Sequence, residues 1–466
     1  MWLIIHLFII MVLSVRVVLR PRRDPASRIA WILFIFAMPY IGALVYLMLG
    51  EVRPGGFRQT LPIDTAQVSD SQQAKVQVPD LAAPAFSIAK SISGFTPVEG
   101  NTGYLLEDSN ATIDALVADI DAAIEHVHLL FYIWLPDTNG MKVVEAMVRA
   151  AQRGVVCRVI VDDLGSRTFI RSKHWLIMQR AGVNVARAQP VNNIMARILK
   201  GRVDVRNHRK IVVIDNRVTY CGSQNCADPE FAVKAKFAPW VDAVIRFEGA
   251  VARQNQQLFL ADWLKCTRED CRSIAQHPLS RSTHGFVAQA LGTGPENTYS
   301  AMPELFSTLM FSARHELVIT TPYYVPDDFM QASLCASARR GVITTIILPA
   351  RNDNYFVGAA SRSYYSELLE AGVHIYEYIG GLLHTKSVTV DGELTLIGSA
   401  NMDRRSFDLN FENNILFYDR ALTQSVRRRQ QEYMAKSRCI SQADVSAWHW
   451  SHRLRNNVLA MLSPIL

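Results

Sequence analysis

One pattern occurs twice in this chain. Residues 208–225 read HRKIVVIDNRVTYCGSQN, and residues 384–401 read HTKSVTVDGELTLIGSAN. Both fit the same template: His, one residue, Lys, four residues, Asp, six residues, Gly-Ser, one residue, Asn. The fixed positions are His208, Lys210, Asp215, Gly222, Ser223 and Asn225 in the first copy, and His384, Lys386, Asp391, Gly398, Ser399 and Asn401 in the second. A lone His-x-Lys carries no information, but two copies agreeing at six positions mark a duplicated unit. The chain is therefore expected to fold as two related halves.

Between each Lys and its Gly-Ser the sequence is apolar and rich in β-branched residues. Asp215-Asn216 and Asp391-Gly392 are turn pairs, so each copy reads as strand, tight turn, strand. Residues two apart on a strand point the same way. That puts His208 with Lys210, and His384 with Lys386, on one face. A nucleophile or acid beside a fixed positive charge is what phosphoryl chemistry requires.

The flanking sequence repeats as well. Residues 127–135 (VHLLFYIWL) and 317–325 (LVITTPYYV) read as strands, each followed by Pro-Asp. Helical patterns follow at 143–155 and 332–342, each closing on Gly, then strands at 157–163 and 344–350. Helices ending in RAGV (180–183) and EAGV (370–373) feed strands at 183–187 and 373–377. Alternation of this kind predicts an α/β layered sheet in each half.

The doubled motif resembles the phospholipase D superfamily. The segments LLHTKSVTVDGELTLIGSANMDRRSFDLNFENN, NDNYFVGAASRSYYSELLEAGVHIYEY and RRDPASRIAWILFIFAMPYIGALVYLMLGE are similar to bacterial cardiolipin synthases in particular. The resemblance covers nearly the whole chain and is weakest over 50–95 and 267–295. It implies an α/β fold of two pseudo-symmetric halves, each a mixed sheet flanked by helices, with both motifs meeting at the seam. The implied domains are a two-helix membrane anchor (1–50), a linker (51–97), a first half (98–265), a connector (266–296), a second half (297–440) and a C-terminal amphipathic segment (441–466).

Hydrophobic residues make up 49% of the chain, more than in an ordinary soluble enzyme, which points to membrane segments. Residues 2–19 are apolar apart from His6, Ser14 and Arg16, and residues 29–49 form an uncharged run that includes Pro39. The second run is long enough to span a hydrocarbon core. A cleaved leader is the alternative for the first, but it lacks a basic start and a small-residue cleavage site. Arg16, Arg20, Arg22, Arg23 and Arg28 lie in or beside the loop between the two runs. The positive-inside rule then puts that loop in the cytoplasm and the catalytic body on the outer face of a bacterial inner membrane. The loop before the first motif, 189–205, carries Asn192, Asn193, Met195, Ile198 and Lys200. The C-terminal stretch 445–466 mixes Trp448, Trp450, Arg453 and Arg455 with Leu454, Val458, Leu459 and Leu462. It suits either a helix in the lipid interface or an ordinary helix packed on the body. The net charge of +7 suits anionic headgroups or nucleic acid without choosing between them. The seven cysteines are scattered and supply no zinc-like ligand set.

A phosphodiester repels nucleophiles and has a poor leaving group. Two imidazoles answer both problems: one attacks phosphorus while the other protonates the departing oxygen. Lys210, Lys386, Asn225 and Asn401 suit the non-bridging oxygens. Ser223 and Ser399 suit either a phosphate oxygen or closure of the turn. The resemblance counts Asp215 and Asp391 with the catalytic set, although their turn position suits bracing the hairpin by backbone hydrogen bonds. It also places an acidic imidazole partner after each motif, which here falls on Asp242 and Glu412; a solvated surface carboxylate is the alternative. No metal and no other cofactor is expected. The implied activity joins two phosphatidylglycerol molecules to give cardiolipin and glycerol through a phosphohistidine. The alternatives are use of phosphatidylethanolamine, hydrolysis as in a phospholipase D, and a nucleic-acid phosphodiesterase. The membrane segments and the lack of a basic stripe with interleaved aromatics argue against nucleic acid.

Overall fold

A computed structural model describes residues 2–20, 25–50, 76–191, 204–276, 284–295 and 301–461. The predicted hairpins form, each in the middle of its own half's strands. In the first half they are β6 (Ile211–Ile214) and β7 (Val218–Gly222), and in the second β16 (Ser387–Val390) and β17 (Leu394–Gly398). Asp215 and Asn216 both take positive φ, as do Asp391 and Gly392, which is what a tight turn matched to strand twist demands. The Arg217 N–H donates to the Ile214 carbonyl (3.0 Å) and the Glu393 N–H to Val390 (3.1 Å), closing the two turns alike.

Around these hairpins the remaining strands fall into matching places. The first half supplies β1 (Val98–Leu105), β2 (His126–Phe131), β3 (Val156–Asp162), β4 (Asn184–Ala188), β5 (Arg206–Asn207), β8 (Trp240–Val241) and β9 (Val244–Glu248). The second supplies β10 (Phe286–Thr293), β11 (Glu316–Thr320), β12 (Tyr324–Val325), β13 (Ile343–Pro349), β14 (His374–Tyr378), β15 (Leu382–Leu383), β18 (Met402–Asp403), β19 (Asn410–Tyr418) and β20 (Ser437–Ile440). Read outward from the antiparallel pair β1–β10, one arm runs β9-β7-β6-β2-β3-β4 and the other β19-β17-β16-β11-β13-β14-β20. The halves thus share one continuous mixed sheet, antiparallel through the hairpins and parallel through β2-β3-β4 and β11-β13-β14, with β20 added antiparallel at one edge. The expected connector 266–296 therefore contains the strand β10, which sits at the centre of that sheet.

Two short parallel ladders cross the seam. The segment β5, just before the first motif, pairs with the start of β19, and β8 pairs with β15, just before the second motif. Each motif is in this way held against a strand of the other half.

The expected linker 51–97 lies partly outside the described residues. Its far end forms a helix, Ala83–Ser93, whose Phe86, Ala89 and Ile92 are buried with Leu291, Leu305 and Leu309 of the second half. The segment preceding the first half is thus built into the core of the second. Within the loop before the first motif, Asn192, Asn193, Met195, Ile198 and Lys200 also lie outside the described residues.

The expected unbroken span 29–49 is not one helix. It divides into Pro25–Ala37, Pro39–Val45 and a π-helical turn Tyr46–Gly50, with Met38 between the first two at φ −139° and ψ 72°. Pro39 supplies no N–H and disfavours helical backbone in the residue before it. No helix among the described residues is long and apolar enough to cross a membrane. The pieces fold back on the first helix, Trp2–Leu19, burying Ile10, Leu13, Val17, Trp31, Ile35 and Tyr46 between them.

Candidate active site

The two His-x-Lys segments lie immediately before β6 and β16 rather than on them, in extended chain held across the seam. The His208 N–H donates to the Phe411 carbonyl (2.9 Å), and the His384 N–H to Val241 (2.8 Å). These bonds bring each histidine beside the carboxylate that follows the other motif. His208 Nδ1 sits 2.9 Å from Glu412, and His384 Nδ1 sits 2.6 Å from Asp242. The partners are crossed between the halves. Chain order places each carboxylate after its own motif, but the ladders across the seam hand it to the other histidine. With Nδ1 committed to a carboxylate, the free nitrogen of each imidazole is Nε2.

The serines of the two Gly-Ser pairs serve the carboxylates. Ser223 donates to Asp242 (2.6 Å), and Ser399 donates to Glu412. The glycine before each serine is required by close approach. A Cβ on Gly222 would lie 2.2 Å from the Ala243 carbonyl oxygen, and one on Gly398 would lie 2.4 Å from that of Asn413. Asp215 and Asp391 are away from this chemistry. Each carboxylate accepts three backbone N–H groups from the turn leading into the neighbouring strand: Ile124, Glu125 and His126 for Asp215, and Arg314, His315 and Glu316 for Asp391. They fix β2 and β11 to the hairpins, so the bracing reaches the adjoining strand rather than the hairpin itself.

Lys210 Nζ donates to the carbonyl of His208 (2.8 Å) and Lys386 Nζ to that of His384 (2.6 Å). Each ammonium keeps further N–H bonds for a ligand. Asn225 Oδ1 accepts the Ile133 N–H (3.1 Å), leaving its NH2 end for another partner, while Asn401 Oδ1 is buried with no hydrogen-bond partner.

All six ionisable groups are buried, and burial is the largest single influence on each. Desolvation lowers His208 to about 4 despite Glu412, and lowers His384 to about 4 with help from Lys386. It lowers Lys210 to about 8 and Lys386 to about 7. Burial alone would raise Asp242, but His384 and Lys386 outweigh it and hold the carboxylate at about 2; Glu412 is lowered by His208 and Lys210 in the same way. Each imidazole also feels the lysine of the other half, so the two motifs form one electrostatic unit.

Several residues around the site carry no motif signal. The Tyr132 ring meets His208 edge-on with centroids 4.9 Å apart, and Trp240 lies 4.6 Å from His384. Asn413 holds the backbone of Lys210 from the other half, accepting its N–H (2.8 Å) and donating to its carbonyl (3.1 Å). The residue between His and Lys differs between the copies. Arg209 is fully buried, bonded to Asp262 (2.8 Å) and to the carbonyls of Glu412 and Thr293. Thr385 bonds only the Val241 carbonyl and the Tyr433 hydroxyl. On that side an open recess of about 480 Å³ reaches Asp242, lined also by Trp240, Arg429, Glu432 and Tyr433.

The family profile described as "Cardiolipin synthase, PLD-like domain" matches residues 116–263 and 306–434, and a second, "Phospholipase_D-nuclease N-terminal", matches 7–51. The chain is 36% identical over 481 residues to cardiolipin synthase A of Edwardsiella ictaluri, covering 100% of this chain and 98% of the relative. It is 36% identical over 486 residues to the protein of that name from Escherichia fergusonii, again covering 100% and 98%. Among solved structures, phosphatidylserine synthase of Haemophilus influenzae Rd KW20 shares the fold with a TM-score of 0.59. That likeness covers 84% of this chain and 100% of the other at 15% identity.

Proposed function

The chain belongs to the cardiolipin synthases of the phospholipase D superfamily, membrane-associated phosphatidyltransferases, and on that premise we propose that His208 and His384 join two phosphatidylglycerol molecules through a phosphohistidine. The observation that carries this reading is the crossed pairing. Each imidazole gives Nδ1 to a buried carboxylate of the other half, so two tautomer-fixed Nε2 atoms serve one seam.

In the first step Nε2 of one histidine attacks phosphorus, the P–O bond to glycerol breaks, and the other histidine gives that oxygen its proton. In the second, the same histidine takes the proton from a glycerol hydroxyl of the second lipid. That oxygen attacks phosphorus, the P–N bond breaks, and cardiolipin leaves. Lys210 and Lys386, with the amides of Asn225 and Asn401, bind the non-bridging oxygens as charge gathers on them.

The resting site holds two neutral imidazoles, and the mechanism needs one protonated. Substrate resolves this. With Lys386 held at about 7, the two carboxylates slightly outweigh the two lysines near neutral pH, and an incoming phosphodiester anion makes the site more negative still, raising both the lysines and the imidazole that faces the leaving group.

The N-terminal hairpin is the anchor in this reading. Its outward faces carry Leu7, Phe8, Met11, Val15, Leu33, Phe36, Ile41 and Leu44, all exposed, which supports a lipid surround for the folded-back helices. The arginines beside the turn orient the catalytic body toward the outer face.

The test is purified protein in vesicles of phosphatidylglycerol, with products identified by mass. Cardiolipin and glycerol in equal amounts are expected. Phosphatidic acid as the dominant product across lipid compositions would instead make the enzyme a hydrolase.

A further inference from the structure

The C-terminal helix, Trp450–Met461, packs against the helix Tyr355–Ser363. Asn456 is buried, Ala460 joins the cluster of Val325, Val357 and Ala360, and the Arg455 guanidinium lies 5.6 Å from the Tyr355 ring centre. The other side of the helix is open and apolar. Trp450 (66% exposed), Leu454 (55%), Val458 (46%) and Met461 (78%) recur at intervals of three and four and so form one stripe. Tyr355 and Phe356, on the supporting helix, are exposed as well. A soluble surface scatters such residues singly, and a contiguous stripe of this kind marks a contact surface.

Two observations identify what covers it. Between Trp448 and Met461 the sequence has Arg453, Arg455, His449 and His452 and no acidic side chain, so the stripe is bordered by groups that suit anionic headgroups. The supporting helix also leads back to the catalytic seam. Asp353, two residues before Tyr355, accepts from Lys234 of the first half (2.5 Å) and from the Tyr323 hydroxyl (2.6 Å), and its charge is felt by Lys386. Beside it, Val233 is exposed and Arg351 lies over the Phe237 ring. Apolar and basic groups thus run from the terminal helix to the edge of the site.

We infer that the stripe of Trp450, Leu454, Val458 and Met461 is a second membrane contact, lying in the headgroup boundary of an anionic bilayer and setting the catalytic seam against it. The inference rests on the membrane reading above and adds the surface that performs it. The N-terminal hairpin tethers the protein; the terminal helix fixes its tilt, so that a lipid headgroup reaches the histidines without leaving the interface.

The experiment uses the full chain in phosphatidylglycerol vesicles with plain or brominated acyl chains. Bromine quenches tryptophans at the acyl boundary. The emission assigned to Trp450, taken as wild type minus Trp450→Phe, should fall at least about twofold in the brominated vesicles. An equal signal in both lipids overturns the inference, and a concentration-dependent, bromine-independent burial of Trp450 shows a second copy of the chain on the stripe and overturns it too. Separately, Leu454→Glu with Val458→Glu should lower cardiolipin formation from vesicle lipid about tenfold. Turnover of dihexanoyl phosphatidylglycerol held below its micelle concentration should not change. Equal losses on both substrates, or no loss on either, overturn the inference. If wild type makes no cardiolipin from either substrate, the transferase reading fails, and the quenching result still decides the surface.

Discussion

His208 and Glu412 are 204 residues apart in the chain and 2.9 Å apart in the fold. His384 and Asp242 repeat the relationship in the opposite direction, across 142 residues at 2.6 Å. In the proposed reaction the unit of chemistry is a histidine from one half with a carboxylate from the other.

Removing the charge from either carboxylate should cost activity without costing the fold. Glu412→Gln and Asp242→Asn are expected to lower cardiolipin formation by about 10²-fold or more, with thermal melting close to wild type. The crossing makes a sharper demand. In double-mutant cycles Glu412→Gln should couple more strongly to a substitution at His208 than to one at His384. Coupling to His384 instead would contradict the pairing.

Acid should weaken the fold through the same histidines. Both are depressed to about 4, below the ordinary value of 6.5, so the native state favours the neutral rings and the unfolded chain binds more protons between those values. Their contribution to stability is complete above about pH 6.5 and is lost as pH falls toward 4. A melting series from pH 7.5 to 4.5 should show a decline that is shallower in His208→Asn and His384→Asn. Parallel curves for all three proteins would count against the depressed values.

Binding of a phosphodiester should draw a proton into the site. Calorimetry of a non-hydrolysable phosphatidylglycerol analogue near pH 7, repeated in buffers of different ionisation enthalpy, is expected to show uptake of about one proton. Heats that do not depend on the buffer would mean that the protonated imidazole is obtained in some other way.

Gly398→Ala places a Cβ 2.3 Å from the Asn414 side-chain oxygen and 2.4 Å from the Asn413 backbone oxygen of β19, and the backbone cannot move aside as a side chain can. The loss of stability should be about 1–3 kcal/mol or more, measured by urea unfolding of the detergent-solubilised protein. Gly182→Ala has open space around it and strains only the backbone, so it should cost less.

The local half of the fold was legible in the sequence. Asp215-Asn216 and Asp391-Gly392 announce their turns, the β-branched runs beside them announce the hairpins, and the repeated template announces two related halves. What pairs across the seam was not. Asp242 and Glu412 follow their own motifs in the chain, and no periodicity tells a carboxylate which imidazole it will meet. The helix Ala83–Ser93 was hidden for a related reason: Ala and Ser dominate it, and its apolar face makes sense only against Leu305 and Leu309, more than two hundred residues later. Pro39 sits inside the apolar run 29–49, and the helix breaks at the residue before it. Tyr132 and Trp240 carry no signal beyond being aromatic in apolar strands.

The crossed carboxylates bear on how such a protein can be inherited. A duplicated gene ordinarily holds a spare, because one copy can decay while the other keeps working. Here neither copy holds a histidine together with its own carboxylate, so on the proposed mechanism damage to one histidine or one carboxylate would disable machinery that belongs to both. Arg209 and Thr385 show that the copies have nonetheless drifted apart at the position between each His and Lys. Selection is left with a single indivisible object written in two passages.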